Sequence, residues 1–314
     1  MGRPRRPNYT HRLVGARLRG AIKRALLRAR FPFRRTVLRL GLRAYELYLA
    51  LPLPGRRTPN HAPDRWPIPP PALRAKVSWP ADARFFLESG RTQAELIRGV
   101  VSRNGGEVAG MEAILDFGCG CGRLARWWSE VPGPTIHGCD YNPDLVEWCA
   151  ANLTFMRTAV NRLEPPLPYG AERFDLVYAL SVFTHMSEEL QDRWLAELRR
   201  VLRPGGLLFF TVSGDAYAEK LSPEDRVRYS QANLVTHFTD VAGSNLCAAY
   251  HPPAYVRTHM VDRLELVAEV PGGRGPGAAM LQDGYLVRKS LSSPASRRTR
   301  RDAASPAGSP DAAG

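Results

Sequence analysis

The feature that most constrains the fold is an apolar run that passes through an acid into glycines at alternate positions. Residues 113–117 include Asp116, and Gly118, Gly120 and Gly122 follow. An apolar run of this length is typical of a buried parallel strand, and the glycines let the backbone pass close to a ligand. A helix is predicted over residues 124–130. Since ligands of open α/β sheets bind at the carboxyl ends of the strands, the sequence predicts a ligand-binding turn here.

Three later segments have the order and spacing of further strands in the same sheet. Residues 135–139 form an apolar run that ends in Asp140, twenty residues after Gly120. An acid at the tip of a second strand can accept hydrogen bonds from both hydroxyls of a ribose. Residues 173–179 read Arg-Phe-Asp-Leu-Val-Tyr-Ala, and residues 198–210 carry Leu-x-Pro-Gly-Gly before an apolar run.

Together these four motifs resemble those of the class I S-adenosylmethionine-dependent methyltransferases over about residues 81–290. The resemblance implies an α/β fold, with a doubly wound, seven-stranded mixed sheet of Rossmann-like type and its last antiparallel strands at 264–270 and 280–288. It also implies S-adenosylmethionine as cofactor and an enzyme that methylates a small molecule or saccharide, most readily at oxygen. The alternative is a binding or scaffold protein that kept the fold and lost catalysis.

The resemblance also assigns cofactor roles to individual residues. The backbone at Gly118 and Gly120 would pass under the methionine part, and Asp116 would order the turn or meet the amino group. Asp140 would hold the ribose, and Tyr141 would pack on the adenine. Further cofactor candidates are Asn161, Arg162, Leu163, Leu180 and Arg91. Arg91 could pair with the cofactor carboxylate or be a solvated charge at the helix end.

A hydroxyl acceptor needs a base, and histidine accepts a proton near physiological pH. His185 lies just after the fourth predicted strand, where resembling enzymes place residues beside the transferable methyl group. It could be this base, or it could only fix the loop. His251 is the second candidate for the base.

The charge of the chain is concentrated at its ends. Residues 1–58 contain fifteen arginines and one lysine against one acid, whereas residues 59–287 have a net charge of −5. Apolar residues recur every four positions from Val14 to Leu26, which predicts a basic amphipathic helical extension. It could lie on an anionic membrane, pack on the catalytic domain or be disordered. Nucleic acid is an unlikely partner because the domain is acidic.

The remaining segments complete the expected organisation. Residues 59–80 contain seven prolines and predict a stiff linker, and residues 291–314 predict a disordered tail. Residues 213–260 form an insertion on the substrate side, whose aromatic residues either line an acceptor pocket or form a small core of their own. Cysteine spacing predicts no metal site. The expected location is the cytoplasm of a bacterium, free or peripheral at the inner membrane face.

Overall fold

A computed structural model describes residues 62–78, 81–273 and 280–291, together with the helical position Leu40. The chain divides into two units, Met1–Leu53 and Pro54–Gly314. The predicted basic extension and the predicted C-terminal tail, apart from Leu40 and Leu291, lie outside the described residues. Within the described residues, no helix is both long and apolar enough to cross a membrane.

The centre of the fold is a seven-stranded sheet in the order β3-β2-β1-β4-β5-β9-β8. Strands β1 to β5 are parallel to their neighbours, whereas β9 runs antiparallel to both β5 and β8. The strands are β1 Ala113–Phe117, β2 Thr135–Asp140, β3 Met156–Val160, β4 Phe174–Ala179, β5 Leu202–Val212, β8 Glu265–Val270 and β9 Asp283–Arg288. The predicted doubly wound mixed sheet with antiparallel final strands is confirmed.

Two apolar cores cover the two faces of this sheet. Because successive side chains of a strand point to opposite faces, Leu115 and Phe117 join the core that contains Trp194, while Ile114 joins the core that contains Ile97. Helices supply the outer layers. They are α1 Pro71–Val77, α2 Ala83–Arg103, α3 Pro143–Asn152, α4 Glu188–Val201, α5 Asp215–Ala218, α6 Pro223–Ser230 and α7 Pro253–Tyr255.

Caps place the starts of the longer helices. Asp82 caps α2 by accepting from the backbone N–H of Phe85, and Asn142 caps α3 with a proline at its first position. Ser187 caps α4 in the same way, and Glu188 and Glu189 occupy its positive end. As a result α4 begins immediately after the turn that follows β4, which fixes where that turn lies.

Two sequence predictions about helices and linkers are wrong. The helix expected over residues 124–130 is only one 3-10 turn, Ala125–Trp128, in which both Arg126 and Trp128 are buried. The linker expected over residues 59–80 is helical at Pro71–Val77 and packs on the domain. Trp66 contacts Phe155 with ring centroids 4.8 Å apart, so proline content here marks turns and helix starts rather than an extended spacer.

The insertion at 213–260 has its own small core. It contains the two-stranded sheet of β6 Val235–His237 and β7 Ala248–Tyr250, with Tyr229 and Tyr250 buried among Leu221 and Val235. Tyr217 packs against the same cluster. Of the two interpretations of the aromatic residues, these contacts support the internal core for the three tyrosines.

Candidate functional site

The glycine turn after β1 is held to the end of β2. The backbone N–H groups of Gly118 and Cys119 both donate to the carbonyl of Cys139, at 2.8 and 3.0 Å. Gly118 and Gly120 have φ of 77° and 54°, in the left-handed region that favours glycine. A β-carbon at Gly118 would collide with Val182, and one at Gly120 would collide with Val77. The turn therefore needs glycine for both conformation and close approach.

Asp140, at the end of β2, ties the glycine turn to the strand. Its Oδ2 accepts from the N–H of Gly120 at 3.0 Å, and its Oδ1 accepts from the N–H of Asn142 at 2.9 Å. Burial raises the pKa of this carboxyl, against the lowering effect of the backbone donors. Each oxygen retains further accepting capacity, since a carboxylate oxygen has more than one acceptor position.

Asp116, which is buried, and Arg123, which is partly buried, are two opposite charges near the turn that act on each other's pKa. The Asp116 carboxyl is buried, and its Oδ2 has no hydrogen-bond partner among the described residues. Burial raises the pKa of Asp116 to about 7, although Tyr178 and Arg123 act to lower it. Burial lowers the pKa of Arg123 to about 10, against the raising effect of Asp116. At neutral pH the guanidinium is charged and the carboxyl is near its midpoint.

The hydrogen bonds of Arg123 go to uncharged side chains of α2. Its Nη1 donates to Ser89 Oγ at 3.3 Å and to Gln93 Oε1. Arg91, the residue that the sequence indicated for a carboxylate, instead pairs with Glu95 at 2.8 Å and is well exposed. The structure therefore does not support Arg91 as the partner of the cofactor carboxylate. Arg123 is the arginine that lies close enough to Asp116 for the two charges to interact. Sequence reasoning missed Arg123, although it directly follows the last glycine of the motif.

His185 lies in a 3-10 turn, Phe183–His185, between β4 and α4. Its Nδ1 is 2.8 Å from the carbonyl oxygen of Cys247. A carbonyl only accepts, so Nδ1 carries the proton and Nε2 carries the lone pair. The carbonyl of His185 accepts from the N–H of Gly243 at 2.7 Å. Two residues of the insertion thus hold both the backbone and the ring of His185.

His251 is not suited to accept a proton from an acceptor molecule. It is fully buried, and its Nε2 is 3.0 Å from Gln191 Oε1. Burial lowers the pKa of His251 to about 3, so the ring is neutral at physiological pH. The structure thus places the ring of His251, the second candidate for the base, in the interior against Gln191, and we do not assign it that role.

The remaining cofactor candidates surround the ends of β2, β3 and β4. The Tyr141 hydroxyl donates to the carbonyl of Gly243 at 2.7 Å, and the space beside Gly243 is filled by Tyr141 and Leu163. Asn161 donates to the carbonyl of Arg162, while its buried Oδ1 has no partner among the described residues. Arg162 is exposed, and Leu180 is partly buried against the core on the α2 side.

A strap formed by residues 242–247 joins these groups across the ends of the strands. It contacts Tyr141 and His185 as described, and the side chain of Asn245 donates to the carbonyl of Lys76 at 2.9 Å. Lys76 also forms an ion pair with Asp144 at the start of α3, at 2.9 Å. The strap therefore connects α1, the end of β2 and the turn that carries His185.

Comparison with known proteins shows what part of this chain is similar to methyltransferases. A family model described as a methyltransferase domain matches residues 114–206, which run from β1 into β5. Methyltransferase GfsG of Streptomyces halstedii is 31% identical over 108 residues, which cover 32% of this chain and 38% of that protein. A malonyl-[acyl-carrier protein] O-methyltransferase of Salmonella typhimurium is 32% identical over 99 residues, again 32% of this chain and 38% of that protein.

The family-model match ends in β5, before the insertion at residues 213–260. The chain spans less than half the length of either curated relative. Among solved structures, an S-adenosylmethionine-dependent methyltransferase of Mesorhizobium loti has a TM-score of 0.48 and 17% identity, covering 62% of this chain and 98% of that one. The segment that the family model matches contains four residues of the site, Asp116, Arg123, Asp140 and His185.

Proposed function

We propose that this chain is a class I S-adenosylmethionine-dependent methyltransferase that transfers a methyl group to an oxygen of a small-molecule or saccharide acceptor. The match of residues 114–206 to a methyltransferase domain supports this proposal. S-adenosylmethionine is the cofactor of such a domain, and when bound it supplies an electrophilic methyl group on a sulfonium. What this chain's residues must do is bind and orient the cofactor, exclude water and receive a proton.

The observation that carries the proposal is the pair of opposite charges beside the glycine turn. The amino-acid end of S-adenosylmethionine carries an ammonium and a carboxylate. The unpartnered Oδ2 of Asp116 fits the ammonium, and the Arg123 guanidinium, whose hydrogen bonds go to neutral side chains, fits the carboxylate. Asp140 fits the ribose hydroxyls because its oxygens still have accepting capacity. The residues present therefore fit this cofactor.

The catalytic step we propose needs one proton acceptor. The acceptor oxygen would receive the methyl group that the cofactor supplies, and the electrons of the broken carbon–sulfur bond would stay on the sulfur. The hydroxyl proton passes to Nε2 of His185, whose lone pair is defined by the Nδ1–H donated to Cys247. The carbonyl of Cys247 holds the ring in the orientation that this proton transfer needs.

The names of the relatives support oxygen as the atom that is methylated. The Salmonella typhimurium relative is named for O-methylation of a malonyl group on an acyl-carrier protein. The insertion lies outside the matched segment and contributes Gly243 and Cys247 to the site, so we place acceptor choice in residues 213–260. The inactive scaffold is not favoured, because every group the cofactor needs is present.

Turnover tests this proposal directly. Purified full-length protein is incubated with methyl-labelled S-adenosylmethionine and fractionated bacterial metabolites, and labelled products are identified by mass spectrometry. With an acceptor in hand, His185→Ala should lower kcat by about 100-fold or more while leaving cofactor affinity nearly unchanged. A wild-type protein that binds the cofactor and labels no acceptor, or a His185→Ala variant with wild-type kcat, would contradict the assigned reaction or base.

Membrane association through residues 1–58 stays a prediction, because apart from Leu40 these residues lie outside the described part of the chain. Its motivation is the charge and apolar spacing of that segment. Roughly 1 kcal/mol of attraction for each well-placed base would draw it to an anionic surface. The proposed catalytic chemistry does not depend on it.

A further inference from the structure

A buried amide, Gln191, joins the turn that carries His185 to the helix that follows it. Gln191 lies in the first turn of α4 and is fully buried. Its Nε2 donates to the carbonyl of Phe183 at 3.2 Å and to the carbonyl of Met186 at 3.3 Å. These carbonyls stand on either side of His185. An amide nitrogen has two hydrogens, so both are used to hold this turn.

His251 is hydrogen-bonded to the oxygen of that amide. Because the nitrogen of Gln191 faces two carbonyls, its Oε1 faces His251, and the ring Nε2 of His251 must donate to it at 3.0 Å. Burial lowers the pKa of His251 to about 3, which keeps a neutral ring in this role. If the amide turned over, an oxygen would face two carbonyl oxygens. The two carbonyls therefore fix one of the two possible orientations, and the Nε2–H of His251 satisfies the oxygen that this orientation leaves.

His251 is in turn fixed by the insertion. Its backbone N–H donates to the carbonyl of Ser213 at 2.8 Å, directly after β5. The single hydroxyl hydrogen of Tyr229 is shared between two acceptors, Asp215 Oδ1 at 2.9 Å and the carbonyl oxygen of His251 at 3.1 Å. A continuous chain of hydrogen bonds thus runs from the core of the insertion through His251 and Gln191 to the turn of His185.

We propose that Gln191 and His251 are positioning residues that set the ring orientation and tautomer of His185. The insertion acts on the turn of His185 in two ways. The carbonyl of Cys247 accepts from the Nδ1–H of His185. Gln191, which is hydrogen-bonded to His251, donates to two backbone carbonyls of the turn. The hydrogen bond from His185 to Cys247 forms only when the turn keeps its present distance from the insertion. Loss of Gln191 or His251 lets the turn shift, and the Nδ1–H of His185 then loses its acceptor. The use of His185 as a base rests on the proposed function, whereas the tautomer of its ring does not.

A structural role alone makes a different prediction. Removing any buried polar side chain that holds a backbone group lowers stability, and it leaves the ring of a distant histidine unchanged. Glu197 provides the matched control. It lies on the same helix α4, is buried, and accepts from the backbone N–H of Leu167 at 2.7 Å. Glu197→Leu removes this buried contact, and the ion pair of Glu197 with Arg200, without touching the turn.

The experiment measures the tautomer ratio of the His185 imidazole by long-range proton–nitrogen NMR in the full-length chain. The signal is assigned from its disappearance in His185→Gln. We expect the Nδ1–H tautomer in the wild type. In Gln191→Leu and His251→Leu the ratio of the Nδ1–H to the Nε2–H tautomer should fall about five-fold, the factor that corresponds to one hydrogen bond of about 1 kcal/mol. His251→Gln, which keeps a donor near the ring position, should restore the wild-type ratio, and Glu197→Leu should not change it.

An unchanged His185 spectrum in both Gln191→Leu and His251→Leu, with melting temperatures lowered as in Glu197→Leu, would overturn the positioning role. If Gln191→Leu fails to fold, Gln191→Glu gives the same readout, because a carboxylate cannot donate to Phe183 and Met186. Binding of S-adenosylhomocysteine is measured on each variant. Absence of binding by the wild type would contradict the proposed function while leaving the tautomer result interpretable.

Discussion

Binding of S-adenosylmethionine should release a proton from Asp116. Burial raises the pKa of Asp116 to about 7, so at pH 7 about half of the molecules hold the proton without a ligand. An ammonium beside Oδ2 favours the ionised form, and binding should therefore release about 0.5 proton at pH 7 and about 0.9 at pH 6. Affinity should fall about ten-fold from pH 8 to pH 6. Asp116→Asn should abolish both effects.

The same pKa shift gives a stability prediction with a definite sign. A carboxyl whose pKa is higher in the folded protein binds a proton on folding, so the contribution of Asp116 to stability is fully present below about pH 4 and is lost as the pH rises to about 7. A shift of about three units corresponds to about 4 kcal/mol, which Asp116→Asn should recover at pH 8 in the absence of ligand.

Calorimetry in buffers of different ionisation enthalpy counts the released protons, and urea unfolding at pH 5 and pH 8 measures the stability. Asp175→Asn is the matched control, since Asp175 is a partly exposed aspartate that accepts from the backbone N–H groups of Glu112 and Ala113. A wild-type protein that binds the cofactor with no proton release at pH 6 would refute the ammonium contact assigned to Asp116.

Two further substitutions test other parts of the structure. Gly120→Ala places a side chain at φ 54° against Val77, so it should cost about 1–2 kcal/mol of stability and weaken cofactor binding. Gly170→Ala, which has open space around it, should do neither. Denaturation measures the stability and calorimetry the binding, and equal effects of the two substitutions would refute the close approach at Gly120. Asp64→Ala leaves the buried guanidinium of Arg126 without its carboxylate and should cost about 3–5 kcal/mol in urea unfolding, while Glu164→Ala, which breaks an exposed pair with Arg193, should cost at most about 1 kcal/mol. A small effect of Asp64→Ala would mean that residues 62–77 are not an integral part of the domain.

The sheet and the glycine turn could be predicted because their signals are local. Apolar runs of strand length, glycines at alternate positions and an acid at the tip of β2 all lie within short segments, and each segment folds as its pattern indicates. The same reasoning failed for residues 124–130, because the buried side chains Arg126 and Trp128 have partners in distant segments. Arg126 pairs with Asp64, and Trp128 stacks on Tyr178 with centroids 5.3 Å apart.

The sequence alone could not show whether Arg91 or Arg123 lies near Asp116. Both arginines lie near the motif in sequence, and only the packing of α2 against the turn decides which one faces Asp116. Gly90 makes that packing possible, since a β-carbon there would collide with the carbonyl of Arg123. The roles of His185 and His251 depend likewise on contacts across about 60 residues of chain, which no local pattern contains.

In the proposed site, Asp116 holds the ammonium and Arg123 the carboxylate of the cofactor's amino-acid end. The most direct measurement is calorimetric titration of S-adenosylmethionine into the wild type, Arg123→Gln and Arg91→Gln, with melting temperatures recorded for each. Loss of a charged hydrogen bond should weaken binding to Arg123→Gln by about 1.5–3 kcal/mol, and Arg91→Gln should bind as the wild type does. Equal affinity of Arg123→Gln and wild type, or a loss confined to Arg91→Gln, would contradict the assigned site.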